Sequence, residues 1–199
     1  VSYRYEITQA VVRQGIIAIV RTGDASSAVA AAVPLLDAGL TSLELPLTNP
    51  QALEAIGHLR GAYPEAVIGA GSVLDEASAV AAVRAGAQFL VAPNLSLSVI
   101  RAGHRYGAAV LPGAGTVTEI VQAMEAGADA VKVFPAPTTR WVEDVLAVLP
   151  HAPLVPTGGI APGDVPGWLE AGAVACGVGS ALGRTPLAEI EALVSGSRG

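Results

Sequence analysis

The run AVLPGAGTVTEIVQAMEAGADAVKVFP, residues 109–135, holds one complete repeat of this chain. It opens on an apolar stretch of strand length, 109–113, and passes through Thr116-Val117-Thr118-Glu119 into a segment of helix length. It closes on Ala126-Gly127 ahead of a second apolar stretch, 130–134. Thr116 and Glu119 have the spacing of a capping box, in which hydroxyl and carboxylate satisfy the free amides of a first helical turn. Gly127 can take the left-handed conformation that ends a helix before the next strand. Strand, helix and strand in this order make the unit of a parallel sheet.

The same unit recurs on both sides. Strands are predicted over 16–21, 42–47, 67–73, 89–93, 109–113, 130–134, 154–157 and 175–178, with alanine-rich helical segments between them. Gly39, Gly86 and Gly172 repeat the Ala-Gly punctuation, and Asn49-Pro50 and Thr185-Pro186 are predicted helix starts. Eight strands without a linker predict an α/β protein, a (β/α)8 TIM barrel forming a single domain over residues 1–199.

Composition agrees. The chain has 199 residues, 52% of them hydrophobic and 14% charged, enough for one sizeable core. A net charge of -6 without a basic run predicts no nucleic-acid partner and no membrane-surface partner. The longest apolar stretches are too short to cross a bilayer, and the first residues lack the basic start and apolar middle of a secretory signal, so a cytoplasmic address is expected. The lone Cys176 is expected to be a buried core residue.

Enzymes of this architecture carry their chemistry at the carboxyl ends of the strands. Lys132 is the only lysine and stands within an apolar strand, where an ammonium group is costly unless it is paired or chemically used. Alternation puts Val131 and Val133 under the outer helices and turns Lys132 and Phe134 inward. A lysine kept from water can attack a ketone and form a Schiff base. The same parity sends Glu44 inward between Leu43 and Leu45, as a proton shuttle or a counter-charge. Arg21 ends the first strand and could clamp a carboxylate through its planar fork, or form a rim salt bridge. Ser72 offers a hydroxyl among glycines. Thr157-Gly158-Gly159 and Gly177-Val178-Gly179-Ser180 follow the last two strands, where backbone amides commonly hold phosphate. His58, His104 and His151 share no metal-ligand spacing, so neither a metal nor another cofactor is expected.

These motifs together resemble the bacterial aldolases that split 2-keto-3-deoxy-6-phosphogluconate, or its galactonate epimer, into pyruvate and glyceraldehyde 3-phosphate. The resemblance spans almost the whole chain. It rests on residues 18–21, 43–47, 69–74, 131–135 and 156–160, with Gly179-Ser180. It implies a homotrimer of barrels, a Schiff base on Lys132, a proton shuttle on Glu44, and a small 2-keto acid sugar phosphate as substrate. It further implies phosphate contacts from Gly158, Gly159, Gly179 and Ser180, and a pyruvate pocket lined by Pro93, Phe134 and Thr157. Thr48 stands where the gluconate-type pattern has an arginine, which passes the substrate carboxylate to Arg21 with Ser72; Ser72 itself replaces the usual threonine.

On substrate the motifs divide. Glu44-Leu45-Pro46-Leu47 with Asn49-Pro50 leans to the galactonate branch and Thr157 before the glycines to the gluconate branch. Gluconate is the reading taken, with the galactonate epimer and 4-hydroxy-2-oxoglutarate as alternatives. A phosphate-binding barrel isomerase or synthase without a Schiff base, and a phosphosugar-binding protein without turnover, are the alternatives of other classes.

Overall fold

A computed structural model describes residues 3–136 and 138–196. The protein has an α/β fold in which parallel strands form a curled sheet wrapped by helices. The strands are β1 (Ile16–Ile19), β2 (Ser42–Pro46), β3 (Val67–Gly71), β4 (Phe89–Val91), β5 (Ala109–Leu111), β6 (Gly113–Ala114), β7 (Val131–Val133), β8 (Leu154–Pro156) and β9 (Cys176–Val178). The helices are α1 (Arg4–Val12), α2 (Ala25–Asp37), α3 (Ala52–Ala62), α4 (Glu76–Ala85), α5 (Leu97–Arg105), α6 (Val117–Glu125), α7 (Thr139–Val148), α8 (Val165–Glu170) and α9 (Leu187–Gly196).

Six strands pair in the order β5-β4-β3-β2-β1-β9, and three in the order β6-β7-β8. Each expected strand is present, shorter than its apolar run by a residue or two. The fifth departs most, because Pro112 divides it into β5 and β6. Proline has no N–H for a ladder, so the run changes partner there. Leu111 accepts from Ala92 on the β4 side at 3.1 Å, and Pro112 accepts from Lys132 on the β7 side at 2.9 Å. Past β8, Thr157 bridges in parallel to Gly177 of β9.

Side chains alternate between two apolar layers. Ala18, Leu43, Leu45, Ile68, Ala70, Val131 and Val133 pack under the helices, while Ile17, Val67, Phe89, Leu111, Val155 and Ala175 fill the inside. Phe89 lies over Gly69, where a Cβ would come within 2.5 Å of the ring. Cutting such a buried ring back to Ala costs about 3–5 kcal/mol. Ile7 and Val11 of α1 join the inner layer.

Local signals set the helix boundaries. Thr116 Oγ1 caps α6 by accepting from Glu119 N at 3.2 Å, as expected, while the Glu119 carboxylate accepts from the Thr116 hydroxyl at 2.9 Å and from Gly115 N at 3.0 Å, one residue before the cap. Asp24 and Asp75 cap α2 and α4 through Ser27 N and Ser78 N. Gly39, Gly86, Gly127 and Gly172 all have positive φ, as the Ala-Gly repeats predict. The expected start at Asn49-Pro50 is displaced: α3 begins at Ala52, and Asn49 ties two loops together instead.

Candidate active site

Parity along two strands brings the main polar groups inside. Glu44 on β2 and Lys132 on β7 are 2% and 5% exposed, among neighbours that are almost all apolar. Burial holds the Glu44 carboxyl above its ordinary value, against the opposing pull of Lys132 and then Arg21. The three groups therefore share one electrostatic field. Glu44 Oε1 has no hydrogen-bond partner among the described residues, and neither does Ser42 Oγ two residues earlier on the same face. A buried carboxylate oxygen without a partner is expensive unless the working state of the site provides one. Lys132 Nζ lies 5.4 Å from the centre of the Phe134 ring, within the range of a cation–π attraction.

Arg21 stands at the mouth, two residues past β1, with its side chain exposed. Its loop is held by Asn49, which is 6% exposed. Asn49 Nδ2 donates to Asp24 O at 2.9 Å and Thr22 Oγ1 at 3.3 Å, and Asn49 Oδ1 accepts from Gln51 N at 2.9 Å. Gln51 Oε1 in turn accepts from Ala25 N at 3.0 Å. Ser72, just past β3, has φ 55°, a left-handed conformation uncommon outside glycine. Such backbone costs on the order of 1–3 kcal/mol and concentrates where function requires it. Pro93 follows β4, with its carbonyl where a Cβ on Gly113 would lie.

Phe134, Thr157, Gly158, Gly159, Gly179, Ser180 and Arg21 meet around one cavity of about 290 Å3, which Lys132, Glu44, Ser72 and Pro93 do not line. Gly158 and Gly159 have φ 109° and 74°; the Phe134 ring lies against Gly158, and the space beside Gly159 is open. A concavity of backbone N–H groups suits an anion. Thr157 Oγ1 donates to Val155 O at 3.3 Å, within its own strand. The sequence reading missed Arg184, which lines the same cavity from the 3₁₀ turn Leu182–Arg184. The available signal was an arginine four residues past Ser180, in the loop already expected to bind phosphate. Among the described residues no acidic side chain lines this cavity, although the chain carries 17 acidic residues against 11 basic ones.

The other polar candidates lie elsewhere. His104 Nε2 is 3.2 Å from Asp129 Oδ2, His58 lines a groove between α2 and α3, and His151 is exposed in a turn. Among the described residues no three His, Cys, Asp or Glu side chains gather as a metal site. Nor is any described helix long and apolar enough to cross a membrane. Cys176 is fully buried, and burial pushes its thiol up to about 12.

The arrangement combines a buried amine, a buried carboxyl disposed to carry a proton and an anion-sized cavity, which share Phe134, near Lys132, and Arg21, whose charge acts on Glu44. Residues 7–193 match a protein-family model described as KDPG and KHG aldolase. The 2-dehydro-3-deoxy-6-phosphogalactonate aldolase of Escherichia coli K12 is 39% identical over 173 residues, 85% of this chain and 84% of that one. The 2-dehydro-3-deoxy-phosphogluconate aldolase of Zymomonas mobilis is 34% identical over 176 residues, with coverage of 85% and 84%. A solved structure described as native KDPGal superposes with a TM-score of 0.81 at 34% identity, covering 90% of each chain.

Proposed function

The chain belongs to the KDPG and KHG aldolase family, and on that premise we propose that it cleaves 2-keto-3-deoxy-6-phospho sugar acids to pyruvate and glyceraldehyde 3-phosphate, with Lys132 as the Schiff-base residue. The observation that carries this reading is the burial of Lys132 and Glu44 on the inner face, with Glu44 Oε1 lacking a partner.

The Lys132 amine adds to the C2 ketone, its own proton passing to the oxygen to give a carbinolamine; Glu44 gives a second proton to that hydroxyl and water leaves, giving an iminium and the Glu44 carboxylate. Glu44 takes the proton of the C4 hydroxyl while the C3–C4 bond breaks, and the bonding electrons move into the iminium to form an enamine. The aldehyde departs. Glu44 returns its proton to C3, and water releases pyruvate from Lys132. The raised pKa of Glu44 suits both halves, because a carboxyl nearer neutrality both accepts and returns a proton. Arg21 and Ser72 orient the carboxylate, Pro93, Phe134 and Thr157 line the pyruvate pocket, and Gly158, Gly159, Gly179 and Ser180 hold the phosphate.

Gluconate remains the reading taken for the C4 epimer, and one comparison leans to the galactonate alternative. The galactonate-type relative has 39% identity against 34% for the gluconate-type one. The ratio of kcat/KM for the two epimers decides between them.

The two sheets are read as one closed (β/α)8 barrel and a single domain. The run 109–114 pairs with β4 and then β7, and the Thr157–Gly177 bridge joins the other edges. A homotrimer is the proposed assembly. Leu74, Leu97 and Val117 support it as exposed apolar side chains beyond consecutive strands, and light scattering tests it.

Borohydride reduction with pyruvate, followed by mass spectrometry of the peptide spanning Lys132, tests the chemistry. A reduced pyruvyl adduct on Lys132 is the expected result. An unmodified lysine, or full activity in Lys132→Ala, would overturn it in favour of a barrel isomerase or synthase.

A further inference from the structure

We infer that Arg184 supplies the side-chain charge of the phosphate subsite and makes this enzyme prefer phosphorylated 2-keto acids over unphosphorylated ones. The inference rests on the aldolase reading and adds to it a residue that determines substrate class.

Four observations carry it. Arg184 lines the cavity that also holds the two glycine loops. It is exposed, and among the described residues its side chain has neither ion pair nor hydrogen bond, so the guanidinium is free to engage a ligand. The backbone beneath it is fixed: Arg184 N donates to Ala181 O at 3.0 Å, and Thr185 Oγ1 donates to the same carbonyl at 2.9 Å. Among the described residues no carboxylate lines the cavity to compete for the cation.

The electrostatics require such a group. Glycine amides and one serine hydroxyl offer directed hydrogen bonds to a phosphate but carry no formal charge. Arg21, the other cation on the cavity wall, also faces Glu44 and is assigned to the carboxylate end of the substrate. Among the described residues that line the cavity, Arg184 is then the cation left to neutralise a phosphate dianion, in a protein of net charge -6. The planar guanidinium can offer two parallel N–H groups to phosphate oxygens, and its long stem lets it fold over the ligand after entry.

The experiment uses the full chain, Arg184→Gln and Arg184→Lys. Calorimetry with inorganic phosphate reads binding without turnover, and kcat/KM is measured on a 6-phospho-2-keto-3-deoxy acid and on the same acid without its phosphate, whose distal end is uncharged. In Arg184→Gln, phosphate binding and kcat/KM on the phosphorylated acid are expected to fall about tenfold to a hundredfold, the range of a charge-assisted hydrogen bond. The unphosphorylated acid is expected to change less than about twofold, and Arg184→Lys to recover part of the loss. Unchanged phosphate binding, or equal losses on both acids, overturns the inference. Pyruvate trapping on Lys132 in each variant separates the two readings. Trapping with unaltered phosphate binding condemns Arg184 alone, and absent trapping in the unsubstituted protein condemns the aldolase reading whatever Arg184 does to phosphate.

Discussion

The carboxylate of Glu44 occupies the space that a side chain on Gly71 would fill: a Cβ built on Gly71 overlaps Glu44 Oε1 and comes within 2.5 Å of Cδ. Strands β2 and β3 pair in parallel with Gly71 opposite Pro46, so the absence of a side chain on β3 makes the pocket into which β2 sends its acid. Gly71→Ala should therefore displace the carboxylate while leaving the strand intact. The overlap is expected to cost about 1–3 kcal/mol of stability. Loss of a positioned proton carrier is expected to lower kcat about 10²–10⁴-fold. A folded Gly71→Ala protein with kcat within about twofold of the parent would show that Glu44 is not the shuttle.

Glu44→Gln keeps the shape and removes the titration. Burial raises the pKa of Glu44 in the folded state above the ordinary 4.5, so the folded protein holds this proton more tightly than the unfolded chain does. Stability is consequently lost as pH rises from about the unfolded value through the raised folded value, and no further loss from this group follows above it. Thermal melts between pH 4 and 8 should show the parent weakening relative to Glu44→Gln across that window, with the variant the more stable at neutral pH. Catalysis moves the other way, and the variant should be about 10²–10⁴-fold slower. Parallel melting curves over the whole range would contradict the burial argument.

Much of this was legible in the sequence, for reasons particular residues make plain. Period-two alternation in 130–134 and 42–47 was enough to turn Lys132 and Glu44 to the inner face, because a parallel strand covered by helices leaves a polar residue only one inward side. The Ala-Gly repeats were equally plain, since glycine alone takes positive φ at no cost. The partner change at Pro112 was less visible, because an apolar run reads as one strand and only the ladder reveals where a missing N–H matters. Asn49 was read as a cap from its neighbour Pro50; its Oδ1 does accept from Gln51 N, but both bonds donated by Nδ2 go to a loop about 25 residues earlier. Arg184 escaped notice for a similar reason: its placement depends on the 3₁₀ turn after β9, which carries no periodic signal.

Asn49 is expected to act on the substrate through Arg21. Asn49→Asp keeps the volume and the acceptor for Gln51 N but removes both bonds donated by Nδ2, and it sets a carboxylate against Asp24 O. The buried site makes this cost about 1–3 kcal/mol of stability. With its loop released, Arg21 should hold the 2-keto acid carboxylate less well, raising KM about tenfold with a smaller change in kcat. Pyruvate should still be trapped on Lys132 at saturating concentration. Equal effects on kcat and KM would mean that Asn49 supports the fold generally and not the arginine.

Asp129 has the opposite profile, a large effect on stability with none on chemistry. Its side chain is 9% exposed and accepts from three sources: Val110 N at 2.8 Å, Arg4 Nε at 2.9 Å and His104 Nε2 at 3.2 Å. It thus fastens α1 and α5 to the start of β7, on the side of the strands away from Arg21 and the glycine loops. Asp129→Ala leaves the Val110 N–H without its acceptor, which accounts for about 1–3 kcal/mol. The ion pair adds little, because Arg4 is 41% exposed and such pairs contribute about 0–1 kcal/mol. Arg4→Ala should therefore cost well under half of what Asp129→Ala costs, a ranking that paired denaturant titrations can read. At temperatures where both variants are folded, kcat and KM should match the parent, since neither residue touches the Lys132 side of the molecule. An Arg4→Ala loss as large as that of Asp129→Ala would put the anchoring energy in the ion pair and not in the buried amide.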